Sequence, residues 1–97
     1  MAQFHVYRLP DGMAVLDLQT DLIETGTRVV APLLPVTPDL PAIRRLEPVF
    51  ELGEVPLALH TAELAAVPAH LLTVSVADLR EHQDTIRAAL DMVFSGF

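Results

Sequence analysis

The sequence predicts a mainly β fold, a small antiparallel sheet or partly closed barrel, covered by one C-terminal α-helix. Three observations carry this. Short apolar runs alternate with turn signals through the first three quarters of the chain. A proline-rich connector interrupts them once. A single stretch of helical periodicity then closes the sequence.

The elements follow in order. Gln3–Arg8 alternates, with Phe4 and Val6 on one face and His5 and Tyr7 on the other, and reads as a strand. Pro10-Asp11-Gly12 is a turn: proline presets φ, aspartate bonds its own backbone, and glycine accepts positive φ. Met13–Gln19 alternates again through Val15, Leu16 and Leu18, completing a hairpin. Thr20–Thr27 is mixed in polarity, sets Leu22 beside Ile23, and is punctuated by Gly26. Arg28–Leu34 is a continuous aliphatic run, expected to be a strand buried on both faces in its first half. Pro32 cannot donate to a ladder, so that strand is expected at an edge or bulged there. Pro35, Pro38 and Pro41 mark an extended connector, read as a stiff loop rather than a proline-rich ligand.

Val49–Leu52, Gly53-Glu54 and Val55–His60 predict a second hairpin. Thr61–Val67 reads as a helical turn or a continuing loop, and His70–Val76 as another strand. The helix is expected from near Asp78, capped by Ser75 or Asp78, with Glu81 completing a capping box. Leu79, Ile86, Ala89, Leu90, Val93 and Phe94 form one apolar stripe, and Gly96 ends the helix. The chain then closes on Phe94-Ser95-Gly96-Phe97. Such an apolar end is either docked into the chain's own core or held out as a contact surface.

Composition narrows the function. The 97 residues suit one domain spanning 1–97. With 52% apolar residues and a mean hydropathy of +0.42, the chain carries more apolar side chain than a small monomer easily hides. A homodimer is therefore expected, with an aliphatic monomer as the alternative. Net charge is −7, from 6 basic residues, all arginine, against 13 acidic ones. That balance speaks against direct nucleic-acid binding and for a basic protein partner. With no cysteine, disulfides, thiol catalysis and thiolate metal sites are excluded. No signal peptide and no membrane-spanning run is read, so a cytoplasmic location is expected.

Chemistry-bearing motifs are sparse. His5, His60, His70 and His82 show no metal-ligand spacing and read as surface or half-buried residues, so no metal and no cofactor is expected. The carboxylates Asp17/Asp21/Glu24 and Asp84/Asp91 read as solvated faces. No nucleophile elbow, P-loop or dinucleotide fingerprint is present, and no enzymatic activity is expected. Arg28 is read as pairing with Glu24 or a neighbouring acid, or else as holding a phosphate or partner carboxylate.

The residues also carry a resemblance. Leu16-Asp17-Leu18-Gln19-Thr20-Asp21-Leu22-Ile23-Glu24 is similar to the V-D-V-Q-S-D-I-I-D segment of the CcdB toxins of bacterial toxin–antitoxin modules. Gln3-Phe4-His5-Val6-Tyr7 resembles that family's opening strand, and Arg28-Val29-Val30-Ala31-Pro32-Leu33 its R-x-V-I-P-L segment. Glu47-Pro48-Val49, Leu52-Gly53, Thr61 and Ala66-Val67-Pro68 resemble its central part. Val76-Ala77-Asp78-Leu79 and Phe94-Ser95-Gly96-Phe97 resemble its tail.

The resemblance implies an SH3-like, barrel-type antiparallel sheet with a C-terminal helix, and a homodimer that is not an enzyme. It implies binding to the DNA gyrase A subunit, trapping of the gyrase–DNA cleavage complex, and neutralisation by a cognate CcdA-like antitoxin. The gyrase-contacting positions it implies are Leu22, Ile23, Asp91, Phe94, Ser95, Gly96 and Phe97. The chain departs from the pattern at its end, where the best-known members have Trp-Gly-Ile, and its first hairpin loop is shorter. The alternatives are a MazF-like endoribonuclease toxin and a weakened homologue that binds only its antitoxin.

Overall fold

The computed structural model describes residues 2–97. Strands β1 (His5–Arg8), β2 (Ala14–Asp17), β3 (Thr27–Pro35), β4 (Val49–Glu51), β5 (Pro56–Leu59), β6 (Ala65–Pro68) and β7 (Ser75–Asp78) precede the helix α1 (Gln83–Ser95). Every pairing among the described residues is antiparallel, in the order β4-β5-β3-β2-β1-β7, with β6 also on β3. The sheet curls into a half-barrel and the helix closes over it.

The first hairpin forms where its turn chemistry puts it. Gly12 takes φ 91°, Gly12 N–H donates to Leu9 O at 2.8 Å, and Met13 N–H donates to Asp11 Oδ1 at 2.9 Å. Along β1 and β2, alternate residues enter two separate cores. Val6, Ala14 and Leu16 join Phe4, Leu33, Phe50, Leu59, Leu79 and Ile86 under the helix. Tyr7 and Val15 pack with Val30 and Leu72 on the opposite face. Both faces being covered, every residue of β2 is buried, Asp17 included.

Phe4 lies just outside β1 in the left-handed region, at φ 66°. That costs a non-glycine residue about 1–3 kcal/mol unless its surroundings fix it. Here Phe4 N–H donates to Asp17 O at 2.6 Å, and Phe4 O accepts from Leu79 N–H at 2.8 Å. The residue thus straps β2 to the segment that leads into the helix.

Five expectations are corrected. The strand expected at His70–Val76 is instead a 3-10 turn at Ala69–Leu71, with β7 beginning only at Ser75. The first half of β3 is not buried on both faces, because Val29 is exposed; only Val30 and Ala31 are covered in succession. β3 is also interior rather than an edge. Pro32 pairs with Val15 on one side, and its carbonyl accepts from His60 N–H at 2.9 Å on the other. On that second side β3 changes partner from β6 to β5, so the missing proline N–H falls in the gap between them.

Ala65–Pro68 is a strand on β3, preceded by a 3-10 turn at Thr61–Glu63, where a turn or loop was expected. Finally, Ser75 and Asp78 end up inside β7 rather than as helix caps. A 3-10 turn at Arg80–His82 intervenes, and α1 starts at Gln83 without a side-chain cap. Asp78 instead accepts from Arg80 N–H at 2.9 Å and from Arg80 Nε at 3.1 and 2.9 Å, turning the chain out of the strand.

Candidate functional site

The candidate residues fall into two groups. One is the turn between β2 and β3, with Leu22 93% and Ile23 52% exposed. The other is the end of α1, with Phe94 71% and Phe97 85% exposed and Asp91, Ser95 and Gly96 also open to solvent.

The helix end follows from its sequence. Ile86 and Ala89 are fully buried, Leu90 and Val93 partly so, and the remaining turn leaves the core. Phe94, expected on the apolar stripe, therefore faces solvent. Gly96 takes φ 81° and its N–H donates to Met92 O at 3.0 Å, the left-handed ending that glycine permits without a Cβ penalty. Phe97 follows that reversal and lies outside the fold rather than within it.

The turn is held from beneath by buried charge. Arg28, 4% exposed, donates from Nε to Asp17 Oδ1 and Oδ2 at 3.2 and 3.0 Å. Its Nη2 reaches Asp17 Oδ2 at 2.9 Å, Gln19 O at 2.8 Å and Asp21 Oδ1 at 3.0 Å. Gln19 extends the network across the turn. Its Nε2 donates to Ile23 O at 2.8 Å, and its Oε1 accepts from Val29 N–H at 3.1 Å. Asp21 Oδ1 also accepts from Gln3 N–H at 3.0 Å. Burial pushes the Asp17 carboxyl above its ordinary value, against the pull of Arg28 and of Gln19 N–H. Burial opposes the Arg28 charge too, but the hydrogen bonds to Asp17 and Asp21 prevail and hold the guanidinium protonated.

Arg28 thus pairs with neighbouring acids as the sequence allowed, yet Glu24 is not among them. Asp17 is correspondingly a buried ion-pair partner rather than part of a solvated face, whereas Asp21 pairs with Arg28 while remaining open to solvent. Sequence reasoning missed the depth of Asp17. The available signal was Ala14-Val15-Leu16-Asp17, an acid closing an otherwise apolar strand. In register Asp17 lies opposite Val30, which sets Arg28 on its diagonal. His60 was missed likewise. It is 6% exposed, with Nδ1 3.0 Å from Glu47 Oε2 and 3.1 Å from Glu63 Oε2. With Thr61 Oγ1–H donating to Leu46 O, this cluster ties the proline connector to the end of β5.

Turn and helix end are not joined within the chain: among the described residues no hydrogen bond or ion pair links them. The base of the turn lies by Gln3 and Phe4, and Arg87 sits over the Phe4 ring at 5.7 Å. Phe94 is two helical turns past Arg87, about 10 Å along the axis.

The described residues thus form a curled antiparallel sheet with a terminal helix, a charge-braced turn and an exposed apolar helix end. Residues 3–96 match the family described as CcdB protein, and the chain belongs to that family. Solved structures share the fold, among them two endoribonucleases and a toxin. An endoribonuclease from Mycobacterial species superposes with a TM-score of 0.78 at 11% identity, covering 97% of this chain and 90% of its own. An endoribonuclease in complex with its cognate antitoxin, also from Mycobacterial species, gives 0.79 at 12%, covering 97% and 94%. The Mycobacterium tuberculosis toxin MazF-mt6 gives 0.71 at 17%, covering 93% of each.

These structures correct one expectation. The sequence reading excluded enzymatic activity, but two structures on this same fold are endoribonucleases, so the fold gives no ground for that exclusion. Among the described residues no helix is long and apolar enough to cross a membrane.

Proposed function

We propose that the chain, acting as one domain over residues 1–97, is the toxin of a type II toxin–antitoxin module that binds the DNA gyrase A subunit and traps the gyrase–DNA cleavage complex. Its contact surface is Leu22, Ile23, Asp91, Phe94, Ser95, Gly96 and Phe97. The observation that carries this reading is the exposure of Phe94 and Phe97 in a member of the CcdB family. Exposed aromatic rings supply large contact area with few rotamers to freeze. A homodimer supports the reading physically. A two-fold axis doubles each exposed group and lets the turn of one protomer approach the helix end of its partner. A cognate antitoxin and a cytoplasmic site of action belong to the same proposal.

The test is co-purification with the dimerisation fragment of the gyrase A subunit, together with growth arrest on expression. The intact chain is expected to bind, Gly96→Glu to lose binding while staying folded, and Ser95→Trp to bind more tightly. A folded chain lacking residues 95–97 that still arrests growth through gyrase-dependent DNA breaks removes the proposal. Sedimentation of the intact chain checks the dimer.

A second reading, endoribonuclease activity, is favoured by the shared fold with endoribonuclease structures. Incubating the purified chain with RNA tests it: sequence-specific cuts support it and intact RNA counts against it. The Arg28 guanidinium is already engaged by Asp17 and Asp21, so cleavage would draw on side chains outside that cluster.

A further inference from the structure

The curled sheet does not close. β4 stands at one end of its strand order and β7 at the other, and each pairs on one side only. The two ends nonetheless face each other. One cavity of about 380 Å³ is lined by Leu52, Gly53 and Leu57 from the β4–β5 hairpin and by Val6, Arg8, Val76 and Ala77 from the β1–β7 side, Arg8 being its one charged residue. A second, about 400 Å³, shares Leu52 and runs on between Val49–Leu52 and Asp78–His82. Together they form a seam whose two walls are strands with a free edge.

Unpaired strand edges hydrogen-bond most readily to another strand. β7 carries neither lysine nor proline to deter such pairing. A register shift between Val6 and Tyr7 leaves Val76 as the unpaired residue of β7; consecutive residues Val76 and Ala77 both line the cavity. Val76 is 48% and Val49 45% exposed, so the walls are partly apolar. The continuation beside α1 carries the carboxylates Glu51, Asp78 and Glu81 with His82; Asp78 is already paired with Arg80 at 2.7 Å, which leaves Glu51 and Glu81 to a ligand. The chain as a whole carries −7.

We propose that this seam receives an extended segment of a second protein, added as a strand against β7, with aliphatic side chains toward Leu52 and Val76 and basic side chains toward Glu51 and Glu81. Backbone pairing supplies affinity, and the alternation of apolar and basic side chains supplies selectivity. The surface uses none of the turn or helix-end residues assigned to gyrase, so it stands or falls separately from that reading.

The probe is a short end-blocked peptide of alternating valine and arginine, titrated into the isotopically labelled full chain. Saturable amide shifts centred on Leu52, Gly53, Val76 and Ala77 are expected, with slowed hydrogen exchange along β7. A peptide of the same charge interrupted by prolines is expected to bind at least about tenfold more weakly, as is the Val76→Lys protein, whose exposed site leaves its melting temperature in place. Val76→Thr is expected to retain binding. Equal binding of the proline peptide, shifts centred on Leu22 and Ile23, or an unaffected Val76→Lys protein would each overturn the proposal. So would self-association of the chain through β7, since a second copy would then fill the seam.

Discussion

The turn after β2 and the end of α1 both present apolar side chains to solvent, but they are built in opposite ways. Beneath Leu22 and Ile23 lies a buried guanidinium bound to two carboxylates and a backbone carbonyl. Around Phe94 and Phe97 there is only a helix running out of core contacts and a glycine that ends it. The first region couples its contact residues to global stability. The second can change its contact residues with almost no effect on folding. Equal exposure thus hides unequal support: substitution in the first region tests the fold as well as the surface, in the second the surface alone.

The largest expected break in this contrast is Arg28→Met. It leaves Asp17 buried without its main partner, and removing one member of a buried pair costs about 3–5 kcal/mol. Urea unfolding reads the loss directly. Adding Asp17→Leu should restore much of it, because neither buried charge then remains. Equal instability of the single and double variants would show that packing, not the orphaned charge, sets the cost.

Phe94→Ala and Phe97→Ala test the other pole. Unfolding free energy is expected to stay within about 0.5 kcal/mol of the parent. If the gyrase reading holds, affinity for the gyrase A fragment falls by about 2 kcal/mol, roughly 30-fold, the scale of an interface anchor. A large loss of stability instead would mean that the rings are docked in solution.

Gly96→Ala sharpens the same pole. Beyond its two chain neighbours, nothing lies within 4 Å of an added Cβ, so the cost is that of positive φ alone, about 1–2 kcal/mol. It should appear as faster amide exchange in the last turn of α1, with the core amides unchanged.

The smallest effect is at the strand exit. Hydrogen bonds from the Arg80 side chain, then from its backbone N–H, hold the Asp78 carboxyl below its ordinary value. A depressed folded value means the stabilisation is present above the unfolded value of about 3.9 and fades as pH falls through the folded one. Asp78→Asn should remove that part of the acid sensitivity, as a slight flattening of stability against pH below about 4. A steeper acid limb in the variant would contradict the assigned sign.

Much of this was legible in the sequence because it is local. Pro10-Asp11-Gly12 and Gly96 act through their own φ and nearest hydrogen bonds, and both sit where the sequence places them. β6 was not legible. Ala65-Ala66-Val67-Pro68 has little intrinsic strand preference and becomes a strand because Thr27–Val30 lies beside it. The helix start was misplaced for a related reason. Ser75–Asp78 is recruited by β1, and a residue paired in a sheet cannot also cap a helix. At the candidate site, exposure of Leu22 and Ile23 agrees with their polar neighbours, whereas the apolar stripe left open whether Phe94 is docked or held out, because helical spacing ignores where the core ends.

By itself the sequence determined the turn chemistry, the two hairpins, the existence of a terminal helix and its glycine ending. Those depend on backbone preferences and on contacts a few residues apart. Tertiary structure alone decided which carboxylates Arg28 meets, that His60 is buried between two more, that β4 and β7 face each other without pairing, and that both terminal phenylalanines stand in solvent. Each of these is a long-range placement, and no local preference encodes where the curl of a sheet brings its far ends.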